Sequence, residues 1–237
     1  MLQLNVMVVL LCAVFLVSIV LHAFSLHDWG CYFSSLIYPI TAVLYFNKVK
    51  RRKVYFGWFL ILYSASELMV FLKTVLSFEA YYYVGNVLYF LAYAFLITEI
   101  AKSLSLKVVV KRFKIQFFVL FALSIYVVHL LQDIVKPFVE NKGQYYLELS
   151  YNVVMFILLT FASINYFVKD NIKSLYLFLG VLCLVFAEII WVAHTYIASR
   201  ELLEICSITL NTLACYLLFR QSVLFDVKSD LQLTEID

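Results

Sequence analysis

Residues 173–197 read KSLYLFLGVLCLVFAEIIWVAHTYI. After Lys173 no charged side chain appears until Glu188. A run of this length and apolarity matches the roughly 20 residues an α-helix needs to cross a bilayer's hydrocarbon core. A soluble helix would alternate this apolar stripe with a polar face. The stretch therefore reads as a spanning helix that carries one acid at membrane depth.

Working outward, the same kind of run recurs along the chain. The spacing predicts eight transmembrane helices, at 4–24, 30–46, 54–75, 81–101, 113–133, 145–167, 173–197 and 203–220. Short polar connections separate them, and Lys136-Pro137 with Lys142-Gly143 mark the clearest helix break. The runs are continuous and do not alternate with period two, which excludes a transmembrane barrel. The first run has no basic residue ahead of it and no small-residue cleavage site after it, so it reads as a retained helix and not a signal peptide. The expected architecture is an all-α polytopic membrane helix bundle. It forms a single transmembrane domain over 1–222, with a short cytoplasmic tail over 223–237.

Composition agrees. The chain is 65% hydrophobic and 14% charged, with mean hydropathy +0.96, against about half apolar and a quarter charged in soluble domains. The expected location is a cell membrane, which in a bacterium is the plasma (inner) membrane. Fourteen of the 18 Lys and Arg lie after the second, fourth and sixth runs or in the tail; the other four are Lys73, Lys136, Lys142 and Arg200. The positive-inside rule then puts both termini in the cytoplasm. Topology accounts for these basic residues, so no nucleic-acid partner is expected. The five cysteines, Cys12, Cys31, Cys183, Cys206 and Cys215, show no CxxC spacing and read as small buried apolar residues.

Glu67 and Glu188 are the acids deepest in the apolar runs. Glu67 lies 14 residues after Lys53 (67 − 53) and Glu188 lies 15 after Lys173 (188 − 173). At ~1.5 Å per residue, both stand about 20–22 Å along their helices. On the next helix of each half comes an Asn: Asn86-Val-Leu and Asn211-Thr-Leu. The pattern predicts a parallel 4+4 internal repeat, with pseudo-halves 1–101 and 102–220. Such repeats occur in transporters.

A carboxylate at membrane depth costs at least about 2.5–3.5 kcal/mol on insertion scales, and such groups default to functional sites. One reading is a polar pocket holding both acids. The other is structural hydrogen bonding, with Glu67 tied to Tyr63 or Ser64 and Glu188 to Thr195 or a neighbouring helix. Two carboxyls held close would divide one proton between them, one acid and one base. Asn86, Asn211 and Asn152 are candidate polar partners. His22, His27, His129 and His194 are scattered near helix ends and read as interfacial; there is no HExxH, and no metal site or cofactor is expected. The Tyr81–Tyr83 and Tyr145–Tyr146 runs at helix starts read as belt residues.

These residues resemble the YhhN-like family of eight-helix membrane proteins, which includes the mammalian lysoplasmalogenases. The resemblance covers roughly residues 36–220 and rests on pattern. Tyr38-Pro39 stands where the family's second helix opens Lys-Pro, and Ser66-Glu67 where the third carries Gly-Asp. Asn86-Val-Leu-Tyr89 then stands for His-x-x-Tyr, and Tyr151 with Met155 matches the sixth helix. Ala187-Glu188 stands for Ser-Asp, and Asn211 for a Gln. Both signature acids are Glu here, each one methylene longer than Asp. The resemblance implies hydrolysis of the vinyl ether bond of a lysophospholipid drawn from the membrane, without a cofactor. Glu67 and Glu188 would be the catalytic acid and base; Asn86, Tyr89, Asn211, Tyr63, Asn152 and Tyr151 would bind or support the substrate. The alternatives are a non-enzymatic carrier, binding a proton or solute on the same acids, or a membrane sensor.

Overall fold

The structure, a computed structural model, describes residues 2–49, 52–104, 114–139 and 141–224, with side chains from residue 8 onward. The expected tail from residue 225, most of the connection at 105–112, and Lys50, Arg51, Lys107, Lys111, Arg112 and Lys228 lie outside the described residues.

The described chain is helical, with no strand among the described residues. Among the described residues nine α-helices follow in order: α1 (Leu2–Ala23), α2 (His27–Ser34), α3 (Ile37–Lys48), α4 (Val54–Leu68), α5 (Phe78–Lys102), α6 (Lys114–Val135), α7 (Lys142–Lys169), α8 (Ile172–Tyr196) and α9 (Glu201–Val223). Seven helical segments are long and apolar enough to cross a membrane: His27–Lys48, Val54–Leu72, Phe78–Lys102, Lys114–Phe138, Lys142–Lys169, Ile172–Tyr196 and Glu201–Val223. Within α1 the described apolar stretch is the shorter Val8–Ala23. The chain is a multi-pass membrane protein.

Two local features depart from the expected runs. The second span is broken into α2 and α3 at Ser35–Leu36. Pro39 has no N–H to give the Ser35 carbonyl four residues back, and its ring crowds that carbonyl. The third span tightens into a 3-10 turn over Met69–Leu72, directly after Glu67. Elsewhere the starts are capped as their residues suggest. Asn141 accepts from Gln144 N at 2.9 Å, and Asn171 forms a capping box with Ser174. The tight α7–α8 connection turns on Asp170, at φ 43°.

Six helices pack in a closed ring, α3–α4–α5–α7–α8–α9 and back to α3. α1 lies outside against α2, α3 and α9, and α6 lies outside against α7 and α8. The ring's interior is aromatic and aliphatic: Tyr38, Phe59, Tyr63, Tyr93, Leu96, Met155, Val181 and Leu184 are buried. Gly180 lets α8 and α9 approach closely, since a Cβ there would meet the Leu218 side chain at 3.0 Å. Large apolar side chains such as Leu16, Phe118, Val119, Ile125 and Phe186 face outward, where lipid replaces the partners a soluble protein would need.

Polar contacts sort the connections to two ends. At one end, Lys53, Glu99, Ser103, Asn165, Lys169 and Lys173 line one shallow cavity, and Lys53 Nζ pairs with Glu99 at 2.7 Å. At the other, Ser25 of the α1–α2 turn donates to Glu201 at 3.0 Å, and Tyr83 of α5 donates to Asn141 ahead of α7 at 3.2 Å.

Candidate functional site

Lys53 and Lys173 share one end of the bundle, so α4 and α8 run the same way from the same height. Their acids, 14 and 15 residues further on, therefore stand at nearly the same level. α4 and α8 are also three places apart around the ring, which sets them across from one another.

Glu188 lies where α5, α7 and α8 meet. Tyr93 on α5 donates to Glu188 Oε1 at 3.3 Å. Tyr151 on α7 is within 3.2 Å of the Tyr93 hydroxyl and stands beside the Glu188 carboxyl. Glu67 lies where α4, α5 and α9 meet, with Tyr89 and Asn211 beside its carboxyl. The Asn211 carbonyl oxygen meanwhile accepts from two phenols, Tyr38 at 3.1 Å and Tyr63 at 3.3 Å. Its amide N–H groups are thereby left to the acid. Of the structural ties weighed from the sequence, Glu188 takes the one to a neighbouring helix, through Tyr93 and not Thr195, while Glu67 has Tyr89 and Asn211 beside it in place of Tyr63 or Ser64. Each acid takes its partners from other helices of the ring, because an inward-facing carboxyl meets their side chains before it can fold back on its own helix.

A run of tyrosine rings links the partners of the two acids. Tyr38 stacks on Tyr63 with centroids 3.9 Å apart. Tyr63 meets Tyr89 at 4.8 Å and Tyr93 at 6.1 Å, and Tyr93 meets Tyr151 at 5.6 Å. Tyr38, Tyr63, Tyr93 and Tyr151 are buried, while Glu67, Tyr89, Glu188 and Asn211 each keep some accessible surface. The arrangement is an apolar-walled polar cluster with two carboxyls and a chain of phenolic donors. Comparisons with protein-family models, with curated proteins and with solved structures give no match. Its chemistry must be argued from these side chains.

Two expected members stand apart in their bonding. Asn86 donates to the Tyr82 carbonyl on its own helix at 2.9 Å. Asn152 is buried with an unpartnered Nδ2, a group whose desolvation costs about 1–3 kcal/mol unless something accepts from it. Two members went unread in the sequence as site residues. Tyr93 follows Tyr89 by four and so shares its helix face. Tyr38 was noted only beside Pro39. Of the expected belt residues, Tyr82 donates to the part-buried Glu148, and Tyr83 to the exposed Asn141 at the bundle end.

A second cluster lies at the opposite end from Lys53. His22, His27 and Glu204 bring their ligand atoms within 4.8 Å of one another. His22 and Glu204 are buried, although the sequence reads these histidines as scattered interfacial groups.

Proposed function

We propose that the chain is an eight-span membrane hydrolase of YhhN-like kind, with both termini cytoplasmic. It cleaves the vinyl ether bond of a lysophospholipid on Glu67 and Glu188. The observation that carries this reading is the pair of carboxyls at one level, Glu188 held by a phenol from another helix and Glu67 beside Tyr89, with a run of tyrosine rings linking these partners. The clustering of Lys53, Lys169 and Lys173 at one end supports that end as the cytoplasmic one. Both acids then lie in the outer half of the bilayer.

The chemistry follows from general acid–base catalysis. A protonated carboxyl delivers its proton to the β-carbon of the vinyl ether, and an oxocarbenium ion forms at the carbon bonded to oxygen. Glycoside cleavage passes through the same kind of ion. The ionised carboxyl takes a proton from water as that water adds. The hemiacetal then collapses to a fatty aldehyde and the free glycerol hydroxyl. The apolar tyrosine walls suit an acyl-like chain entering sideways from lipid, and the phenols hold the two carboxyls in position.

The test is aldehyde release by the purified chain in vesicles containing a lysoplasmalogen, with the saturated alkyl ether lysolipid as control. The vinyl ether substrate is cleaved and the alkyl ether is not. Equal inertness toward both contradicts the reading.

A carrier is the second reading, and one observation favours it. The contacts α3–α4, α4–α5 and α5–α7 are matched by α7–α8, α8–α9 and α9–α3, the pattern a parallel 4+4 repeat would give. The matching extends to the site. Tyr38 bonds toward α9 and stacks on α4, and Tyr151 bonds toward α5 and stands beside Glu188 on α8. Solute uptake into proteoliposomes driven by a pH gradient, without aldehyde release, would select this reading.

A further inference from the structure

The His22–His27–Glu204 cluster is built from three segments that are remote in sequence. His22 is in the last turn of α1, His27 opens α2, and Glu204 is in the first turn of α9. Glu204 presents one oxygen to each ring: Oε1 is 3.2 Å from His22 Nε2, and Oε2 is 3.1 Å from His27 Nδ1. His22 and Glu204 are 0% and 5% exposed, while the His27 side chain is 46% exposed.

The tautomer of His22 is fixed by its other nitrogen. Nδ1 lies 2.8 Å from the Ser18 carbonyl oxygen. A carbonyl only accepts, so Nδ1 carries the hydrogen and donates it. In the neutral ring, Nε2 then turns its lone pair toward the carboxylate. Two lone pairs at this distance need a positive charge between them, either a proton or a metal ion. An Nδ1–H held by a backbone carbonyl is also the usual outer support of a histidine that ligates through Nε2. The surroundings are shaped for this ring. A Cβ on Gly30 would come within 2.2 Å of the His22 imidazole, and Ser18 Oγ fixes the Gly30 carbonyl at 3.0 Å.

We propose that His22 Nε2, His27 Nδ1 and the Glu204 carboxylate bind one divalent transition-metal ion of the zinc class. Ligand bonds of about 2.0–2.2 Å in a tetrahedron set neighbouring ligand atoms a little over 3 Å apart; each imidazole already stands 3.1–3.2 Å from a Glu204 oxygen, and all the ligand atoms lie within 4.8 Å, so a small closure seats the ion. Two imidazoles and one carboxylate suit zinc better than calcium or magnesium, which favour all-oxygen shells. The fourth position falls to water on the exposed His27 side. The ion would tie α1 and α2 to α9, closing the end of the bundle away from Lys53.

The experiment uses the full chain in nanodiscs, stripped with chelator, equilibrated with zinc chloride and desalted. Metal content and melting temperature are then measured. The wild type retains about one zinc per chain and melts higher with it. Glu204→Gln and His27→Asn each retain at least about tenfold less zinc, with no zinc-dependent shift in melting. His27 is half exposed, so its variant keeps the test valid if Glu204→Gln fails to fold. Zinc content in the wild type no greater than in His27→Asn overturns the proposal and leaves the cluster a proton-bridged pair.

Discussion

Tyr93 on α5 reaches across to Glu188 on α8, its hydroxyl donating to the carboxylate at 3.3 Å while standing 3.2 Å from the Tyr151 hydroxyl. The carboxyl is thus positioned by two helices other than its own. Tyr93→Phe keeps the ring and removes the donor. Aldehyde release is expected to fall about tenfold, equivalent to about 1.4 kcal/mol. Tyr93→Phe with Tyr151→Phe is expected to lose less than the product of the single losses, because the two hydroxyls are in direct contact and act on the acid together. Rates of the three variants check this.

Asn211 carries the corresponding load beside Glu67. Its carbonyl oxygen accepts from Tyr38 and Tyr63, so Asn211→Leu strands two phenols in the bundle interior. Each stranded group costs about 1–3 kcal/mol, and the melting temperature of the purified protein should drop clearly. Adding Tyr38→Phe and Tyr63→Phe to Asn211→Leu should recover part of the loss. No recovery would mean that the phenols have other acceptors.

Backbone closeness gives a graded set of glycine variants. Gly30→Ala drives a methyl into the His22 ring at 2.2 Å, whereas at Gly57 the nearest atom is the far end of Phe46 at 3.4 Å. Overpacking costs about 1–3 kcal/mol. Gly30→Ala should therefore destabilise markedly and Gly57→Ala little, as read by thermal melting in the same detergent.

Orientation is checked with single cysteines on a cysteine-free background. Ser25→Cys, in the α1–α2 turn, should react with an impermeant maleimide from outside intact cells. Lys173→Cys, at the α8 start, should react only after permeabilisation. The reverse pattern would invert the proposed topology.

Much of the fold was legible because lipid imposes one demand, a long apolar run, and each span meets it in consecutive residues. The break in the second span was not read from the sequence, although Pro39 carries it through its effect on the Ser35 carbonyl. The site was legible in part. Glu67 and Glu188 stood out because charge is costly at that depth. Their partners did not, because periodicity within one helix says nothing about which helix faces it. Glu67 meets Asn211 across 144 residues (211 − 67). Tyr93 looks in sequence like any lipid-facing aromatic. The same blindness hid Glu204, which the fold sets between His22 and His27.

If the vinyl ether is protonated at carbon by an enzymic acid, the product carries the mark. Turnover in D2O should give an aldehyde with one deuterium on the carbon next to the carbonyl, seen by mass spectrometry after immediate reduction to the alcohol. An unlabelled product would exclude carbon protonation.

The account stands most directly on Glu67 and Glu188 acting as a pair. Aldehyde release should be measured for the wild type, Glu67→Gln and Glu188→Gln, each reconstituted at equal amount and shown to be folded by its melt. Losing a general acid or base lowers the rate about 10²–10⁴-fold. Both single variants should fall in that range, and the double variant little further, since either loss disables the same step. Wild-type aldehyde release with either Gln in place would contradict the account.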